Sequence, residues 1–239
     1  MSDLIGSLSM ELGVDAALTV AYLIVSALVV IMAVVAAIMK LMIWIRYSRA
    51  NRTPVSNQMT GVETAQYVLD REGMSPEVKV RKSGFIREAV FGNYYNILTK
   101  TIYLRSVFGK IDKKKTVTST ALAVQKVAVA KLCESGDKQA RVRNTLSLVG
   151  LFGPFLFIPV VLIGMVLDFV VLNTGGMVSM VCLGASGIIL VMGFVVTFLN
   201  IPVEKRANEL ALELMAKHGL ANAEEIEVMR KVYDTYLIS

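Results

Sequence analysis

Residues 116–132, TVTSTALAVQKVAVAKL, are the stretch that decides the fold of this chain. Apolar residues fall on nearly every side of the helix that this stretch predicts. A helix of that kind is normally buried or lies against a membrane. Gln125 and Lys126 are the polar residues in its interior, and buried polar groups need partners. We therefore expect a helix that is either buried or apposed to a membrane, and the presence of Gln125 and Lys126 on it needs an explanation.

The residues before this helix predict a small α+β region. Thr60 and Glu63 form a capping-box pattern, which predicts a helix over residues 62–72 with Gly73 at its end. Residues 77–82 and 101–105 alternate between apolar and polar side chains, which is typical of short strands. These two strands could pair with each other, with a loop rich in Gly, Asn and Tyr between them.

Three long apolar runs dominate the composition. The chain has 239 residues, of which 55% are hydrophobic and only 18% charged. The runs cover residues 16–45, 145–172 and 177–201, and about 20 apolar residues suffice to cross a bilayer. We expect a mainly α integral membrane protein with three transmembrane helices and a small cytoplasmic α+β domain. The composition excludes an ordinary soluble protein, a disordered chain and a secreted disulfide scaffold.

The distribution of charge predicts a topology. Residues 46–143 hold 19 of the 25 Lys and Arg residues, whereas residues 1–15 hold none. By the positive-inside rule, residues 1–15 are external and residues 46–144 form the cytoplasmic domain. Residues 173–176, NTGG, predict a tight external turn that makes the last two runs a helical hairpin. Residues 202–239 then form a cytoplasmic helical tail that packs on the domain.

Few residues of this chain are suited to metal or nucleophilic chemistry. Cys133 and Cys182 lie in different environments and are expected to be free thiols. Two cysteines cannot build a cysteine-rich zinc site, and His218 is the one histidine. An acid within a membrane span is a functional candidate, but Asp168 lies near the outer end of the second apolar run, where we expect it to be solvated.

Four stretches resemble one family in their order and spacing. The chain is similar to the bacterial membrane-embedded neutral zinc metallopeptidases, from about Thr60 to its C-terminus. The stretches are TGVETA at 60–65 with Val68, Leu69 and Gly73, KTIYL at 100–104, ARVRN at 140–144 with Phe152 and Gly153, and PVE at 202–204 with Ala207, Leu210 and Ala211. The resemblance implies a metallopeptidase-like domain and a location in the bacterial inner (plasma) membrane.

The family's chemistry needs a helix with the motif His-Glu-x-x-His. The two histidines of the motif hold zinc, its glutamate activates the metal-bound water, and a later glutamate is the third zinc ligand. Gln125 and Val129 stand where the histidines would be, and Lys126 replaces the general base. Glu204 alone matches, at the third-ligand position. The resemblance therefore implies vestigial active-site positions at Gln125, Lys126, Val129 and Glu204. We expect no catalytic residue, no metal ligand set and no cofactor, although active relatives use zinc.

A charge pair offers one explanation for Lys126. Its ammonium could pair with the Glu204 carboxylate and replace the charge of zinc, with Gln125 adding hydrogen bonds. Alternatively, Lys126 and Glu204 each reach water or lipid headgroups independently.

The resulting functional hypothesis is a membrane-anchored pseudopeptidase, catalytically inactive, with a binding, scaffolding or regulatory role. The alternative is an active membrane zinc metallopeptidase, or a hydrolase that uses an unrecognised site. Expected partners are membrane lipids and either an active relative or another membrane protein. Lys110 and Lys113–Lys115 form a basic cluster without interleaved aromatic residues, so we expect no nucleic acid.

Overall fold

The computed structural model describes residues 51–150, 152–172 and 176–236, together with the single positions Gly6, Met10, Val20, Ala21, Leu23, Ile24, Ala27, Ile31 and Ile38. The chain forms two compact units. The first comprises Met1–Ile38 and Gly150–Val195, and the second comprises Met39–Val149 and Val196–Ser239.

The first described helix of the second unit, α1, spans Gly61–Arg71. Its capping box is confirmed, because the Thr60 hydroxyl accepts from the Glu63 backbone N–H while the Glu63 carboxylate accepts from the Thr60 backbone N–H. Ala65, Val68 and Leu69 form its buried face. Gly73 follows the helix with a φ of 70°, which suits glycine.

The second unit also contains a three-stranded sheet. Strands β1 (Lys79–Lys82) and β3 (Thr101–Leu104) pair in parallel, with Lys79 opposite Thr101, so the predicted strand pairing is confirmed. The loop between them contains helix α2 (Phe85–Phe91) and strand β2 (Tyr94–Asn96), neither of which the sequence predicted. β2 pairs antiparallel with β3, which makes β3 the central strand, and all four of its residues are buried.

Helix α3 spans Val117–Glu134 and is the centre of the second unit. Every residue from Val117 to Ala130 is buried, so the predicted helix is confirmed and, of the two environments left open, it has the buried one. Helix α1, strands β2 and β3 and the last helix, α7 (Ala223–Tyr236), all pack against it. The Tyr233 hydroxyl of α7 donates to the Ala121 carbonyl at 2.6 Å, which anchors α7 on α3.

The remaining helices are α4 (Lys138–Gly150), α5 (Phe152–Val166), a π-helical segment (Leu167–Leu172) and α6 (Met177–Lys217). In the first unit, Asp168 is only 1% exposed, so the expectation that it is solvated is wrong. Its carboxylate accepts from the backbone N–H groups of Gly176 and Ser179, which lie at the start of α6. Asp168 therefore satisfies donors that the first turn of a helix leaves free.

The structure corrects the predicted transmembrane architecture. Within the described part of the chain, no helix combines the length and apolar character that crossing a bilayer requires. The three predicted transmembrane helices, and with them the integral-membrane location and its topology, are therefore wrong for these residues. The first apolar run, apart from single positions, and residues 173–175 of the turn lie outside the described residues.

The physical reason is that hydropathy measures the composition of a run, whereas crossing a bilayer depends on the length and apolar character of a helix that is formed. Among residues 145–172, the structure describes the end of α4 up to Gly150, α5 over Phe152–Val166 and the π-helical segment over Leu167–Leu172. Residues 177–201 are only the first part of α6, which continues through Pro202 to Lys217. Pro202 therefore does not end the helix.

Glu72 connects three helices of the second unit. It caps the C-terminus of α1, and its side chain is 5% exposed. Its carboxylate contacts Lys131 of α3, and Lys217 and His218 at the end of α6, the last two at 2.7 Å. Hydrogen bonds from Lys131 and Lys217, with a smaller one from His218, lower the pKa of Glu72 to about 2.

We expect Glu72→Gln to lower the free energy of unfolding by roughly 1–3 kcal/mol at pH 7, because it removes the buried negative charge that Lys131, Lys217 and His218 share. The contribution of Glu72 is complete above the unfolded-state pKa of 4.5 and is lost as the pH falls through about 2. The difference between wild type and variant, measured by denaturant unfolding, should therefore shrink in acid. Glu77→Gln is the control, since its 66% exposed side chain pairs with Lys100. Equal effects of the two substitutions would contradict a special role for Glu72.

Candidate functional site

Gln125 of α3 and Glu204 of α6 meet in the second unit. The Gln125 side-chain amide donates to Glu204 Oε2 at 2.7 Å and to Asn208 Oδ1 at 2.8 Å. Asn208 lies one helical turn after Glu204, so both side chains are on the face of α6 that meets α3. Gln125 is 2% exposed and Asn208 is 5% exposed. The structure thus brings together two of the four vestigial positions.

Arg143 of α4 supplies the cation at this site. Its guanidinium Nη2 forms an ion pair with Glu204 Oε1, and the two side chains are 14% and 17% exposed. Burial lowers the pKa of Arg143 to about 10, so the group stays charged at neutral pH. We call Gln125, Arg143, Glu204 and Asn208 the Glu204 cluster.

The next residue after Arg143 holds α4 in place. Asn144 is 1% exposed. Its side-chain amide donates to the Tyr95 carbonyl at 2.9 Å and its Oδ1 accepts from the Ile97 backbone N–H at 3.3 Å. These bonds tie α4 to the sheet at β2. They therefore position the neighbouring Arg143 against Glu204.

Lys126 does not join the ion pair that the sequence suggested. Lys126 is 8% exposed, and it forms no ion pair with any residue that the structure describes. Neighbouring positions on a helix do not share a face, so Gln125 meets Glu204 while Lys126 points elsewhere. Burial lowers the pKa of Lys126 to about 7, with smaller contributions from the positive charges of Arg143 and Arg105. The cation that pairs with Glu204 is Arg143.

Val129, the second histidine position, is fully buried in the apolar core. It lies four residues after Gln125 and shares its face of α3. His218 is placed instead at Glu72, with Nε2 2.7 Å from the Glu72 carboxylate and its ring edge-on to Tyr67. The structure therefore brings neither of these residues to the metal-ligand role that a zinc peptidase needs.

Several polar atoms of the cluster are left unsatisfied. Gln125 Oε1, Asn208 Nδ2 and Arg143 Nε are buried and have no hydrogen-bond partner among the described residues. Arg105 Nε, from the residue that follows β3, is in the same condition. Buried polar atoms without partners are costly, so a water molecule or another polar group that reached any of these atoms would be bound favourably.

The match to a family model covers residues 23–236 and identifies a family of putative neutral zinc metallopeptidases. The chain belongs to this family. The resemblance seen in the sequence is thereby confirmed at the level of the family. A search of curated proteins and of solved structures finds no match.

The zinc that the family's name implies does not fit the residues at Glu204. Three protein ligands of the histidine, cysteine or carboxylate type are typical of a catalytic zinc site. No group of three such residues that could hold a metal ion occurs in the described part of the chain. At Glu204 one carboxylate oxygen is occupied by a guanidinium and the other accepts from an amide N–H. The cluster presents donors and a positive charge where zinc would need acceptors.

Sequence reasoning missed Arg143 and Asn208. Asn208 carried a weak signal, since it follows Glu204 by one turn. Arg143 was noted only as part of the ARVRN stretch at 140–144, and nothing in its spacing from Glu204 indicated contact. A pairing between residues on separate helices depends on packing, which a single sequence does not reveal.

We expect strong coupling between Arg143 and Glu204. Arg143→Met should lower the free energy of unfolding by roughly 2–4 kcal/mol, because it leaves a largely buried carboxylate without a cation. The double variant combines Arg143→Met with Glu204→Leu. Its loss in free energy of unfolding should be smaller than the sum of the two single losses by at least about 1 kcal/mol. The control is Arg206→Met, whose more exposed side chain pairs with Asp137 at 2.7 Å and should cost under about 1 kcal/mol. Additive losses would contradict the pairing.

Lys126→Met should make the protein more stable at pH 7. The unfolded chain binds a proton at Lys126 up to its usual pKa of 10.5, whereas the folded chain releases it near pH 7. The stability of the wild type should therefore rise between these pH values by up to about 1.4 kcal/mol per pH unit. The stability advantage of Lys126→Met over the wild type should therefore shrink as the pH rises toward 10.5. Denaturant unfolding at several pH values measures the difference in free energy of unfolding between Lys126→Met and the wild type. A difference that does not change with pH would contradict the prediction.

Proposed function

We propose that this chain is a non-catalytic member of the zinc metallopeptidase family that serves as a binding, scaffolding or regulatory protein. The observation that carries the proposal is the ion pair between Arg143 and Glu204. It places a protein cation on the one carboxylate that matches a zinc ligand of the family.

The residue at the position of the family's general base also supports a non-catalytic role. A zinc peptidase needs a carboxylate beside the metal to activate the bound water. Lys126 occupies that position, and neither its protonated nor its neutral form provides a carboxylate. Restoring catalysis would therefore require changes at Gln125, Lys126 and Val129 as well as release of Glu204 from Arg143.

The alternative of a hydrolase with another nucleophile lacks support among the described residues. Burial raises the pKa of the Cys133 thiol to about 11, so that little thiolate is present at neutral pH. Cys133 is also fully buried. His218, the natural partner for a nucleophile, is engaged by Glu72 in another part of the second unit.

A binding role remains compatible with the structure of the second unit. The core around α3 is complete, and the Glu204 cluster is held by three helices, so the former catalytic region is a formed structure. An active relative or a polypeptide that such a relative would cleave is the partner we propose, by analogy with the family.

Zinc content and peptidase activity test the proposal. We expect the full chain, purified with zinc supplied, to hold far less than one zinc per chain, and to cleave an unfolded protein substrate no faster with zinc than with chelator. Gln125→His, Lys126→Glu and Val129→His, combined with Arg143→Met, restore a ligand set and should bring zinc close to one per chain.

Gln125→Asn, Lys126→Met and Val129→Ile, combined with Arg143→Met, change the same four positions without adding a zinc ligand; they are the matched control and should not bring zinc. Stoichiometric zinc in the wild type, or cleavage that the chelator abolishes, would overturn the proposal.

A further inference from the structure

The C-terminal ends of strands β1 and β3 lie at the same edge of the sheet. Lys82 and Leu104, the last residues of these parallel strands, are partners in the register. The Ser83 backbone N–H donates to the Leu104 carbonyl at 2.8 Å, which extends the contact by one residue. The segments that follow the two strands, residues 83–88 and 105–113, therefore begin side by side.

Both of these segments expose apolar side chains. The rings of Phe85 and Phe108 lie against each other with their centroids 5.3 Å apart, yet each residue is 61% exposed. Their chain neighbours Ile86 and Val107 are exposed as well. Single exposed apolar residues are normal on a protein surface, whereas several that adjoin form a patch of the kind that marks an interaction surface.

The Glu88 carboxylate holds the second segment in a defined position. This buried carboxylate accepts from the backbone N–H groups of four consecutive residues, Ser106 to Gly109, at 2.7–3.0 Å. Val107 and Phe108 lie within this run. Their backbone is therefore fixed although their side chains are exposed, and a surface formed in advance loses less conformational entropy on binding.

The charge that this part of the chain exposes is positive. Residues 79–115 hold ten Lys and Arg residues and only two acids, Glu88 and Asp112. Both acids are buried, at 1% and 3% exposure. The exposed charge of residues 79–115 therefore comes from their basic side chains.

Three exposed lysines lie beside the segment that carries the apolar patch. Lys82 Nζ is 3.9 Å from Asp112 Oδ2, which also accepts from the Ser106 hydroxyl at 3.0 Å. Lys110 and Lys113 lie on either side of Asp112 in the chain, and the Lys113 N–H donates to the Lys110 carbonyl at 3.2 Å. All three lysines are exposed. The contacts thus hold positive charge next to an apolar patch.

We propose that this edge of the sheet docks onto a lipid surface that contains anionic headgroups. The docking surface has an apolar centre and basic residues beside it: Phe85, Ile86, Val107 and Phe108 form the centre, and Lys82, Lys110 and Lys113 are the basic residues. The apolar side chains enter the boundary between headgroups and acyl chains, while the lysines interact with the phosphates.

The chemistry of the patch favours lipid over nucleic acid. A single-stranded nucleic acid needs aromatic faces on which its bases stack, and Ile86 and Val107 offer none. Aliphatic side chains beside lysines are instead suited to a headgroup region. The docking surface shares no residue with the Glu204 cluster, so this inference does not depend on whether the chain binds zinc.

The experiment measures binding of the full chain to vesicles of equal size. One set consists of phosphatidylcholine alone, and the other contains phosphatidylglycerol as about a third of its lipid. The first unit also exposes apolar side chains such as Val170, so the comparison between vesicle types and between variants is decisive. We expect the wild type to bind the anionic vesicles at least about tenfold more tightly, and high salt to reduce this preference.

Substitutions locate the docking surface. Phe108→Ser and Lys113→Gln should each weaken binding to the anionic vesicles by about fivefold. The matched controls are Leu98→Ser and Lys79→Gln, which change exposed residues at the opposite edge of the same sheet, where Lys79 is the register partner of Thr101. Each control should change the affinity by less than about twofold, since its side chain does not reach the lipid.

Two results would overturn the inference. The first is equal binding of both vesicle types by the wild type, or control variants that lose as much affinity as Phe108→Ser and Lys113→Gln. The second is binding of polyglutamate that Phe108→Ser weakens, without any preference for anionic vesicles, because this result would assign the surface to an acidic polypeptide.

Discussion

Because every residue of α3 from Val117 to Ala130 is buried, each polar group on that helix must find its partner inside the protein. Gln125 meets this constraint by donating to Glu204 and Asn208 of α6. The contact fixes the second half of α6 against α3, and Arg143 then brings α4 to the same carboxylate. The arrangement of three helices thus depends on one amide that has no access to water.

The cluster also shows how a protein cation can compensate a largely buried carboxylate. In a zinc peptidase the third-ligand carboxylate is compensated by a divalent cation. Here a guanidinium provides one positive charge, and an amide adds a hydrogen bond. Arginine suits this role because its planar fork remains charged when buried, whereas a buried lysine readily loses its proton. That difference explains why Arg143 rather than Lys126 is the partner of Glu204.

The local elements could be predicted from the sequence, whereas contacts between distant residues could not. The capping box at Thr60 and the buried character of α3 are encoded within a few neighbouring residues. The pairing of Arg143 with Glu204 joins positions 61 residues apart on separate helices, and no local pattern records it. The membrane prediction failed for a related reason. Hydropathy measures the composition of a run of residues, and it does not show which of those residues form one helix.

Lys126 is the residue that a purely structural role explains least. A methionine of similar length would fill the same space without the cost of burying an amine, so the fold gains nothing from the lysine. The neighbouring arginines increase that cost, because they act on the amine with charges of the same sign.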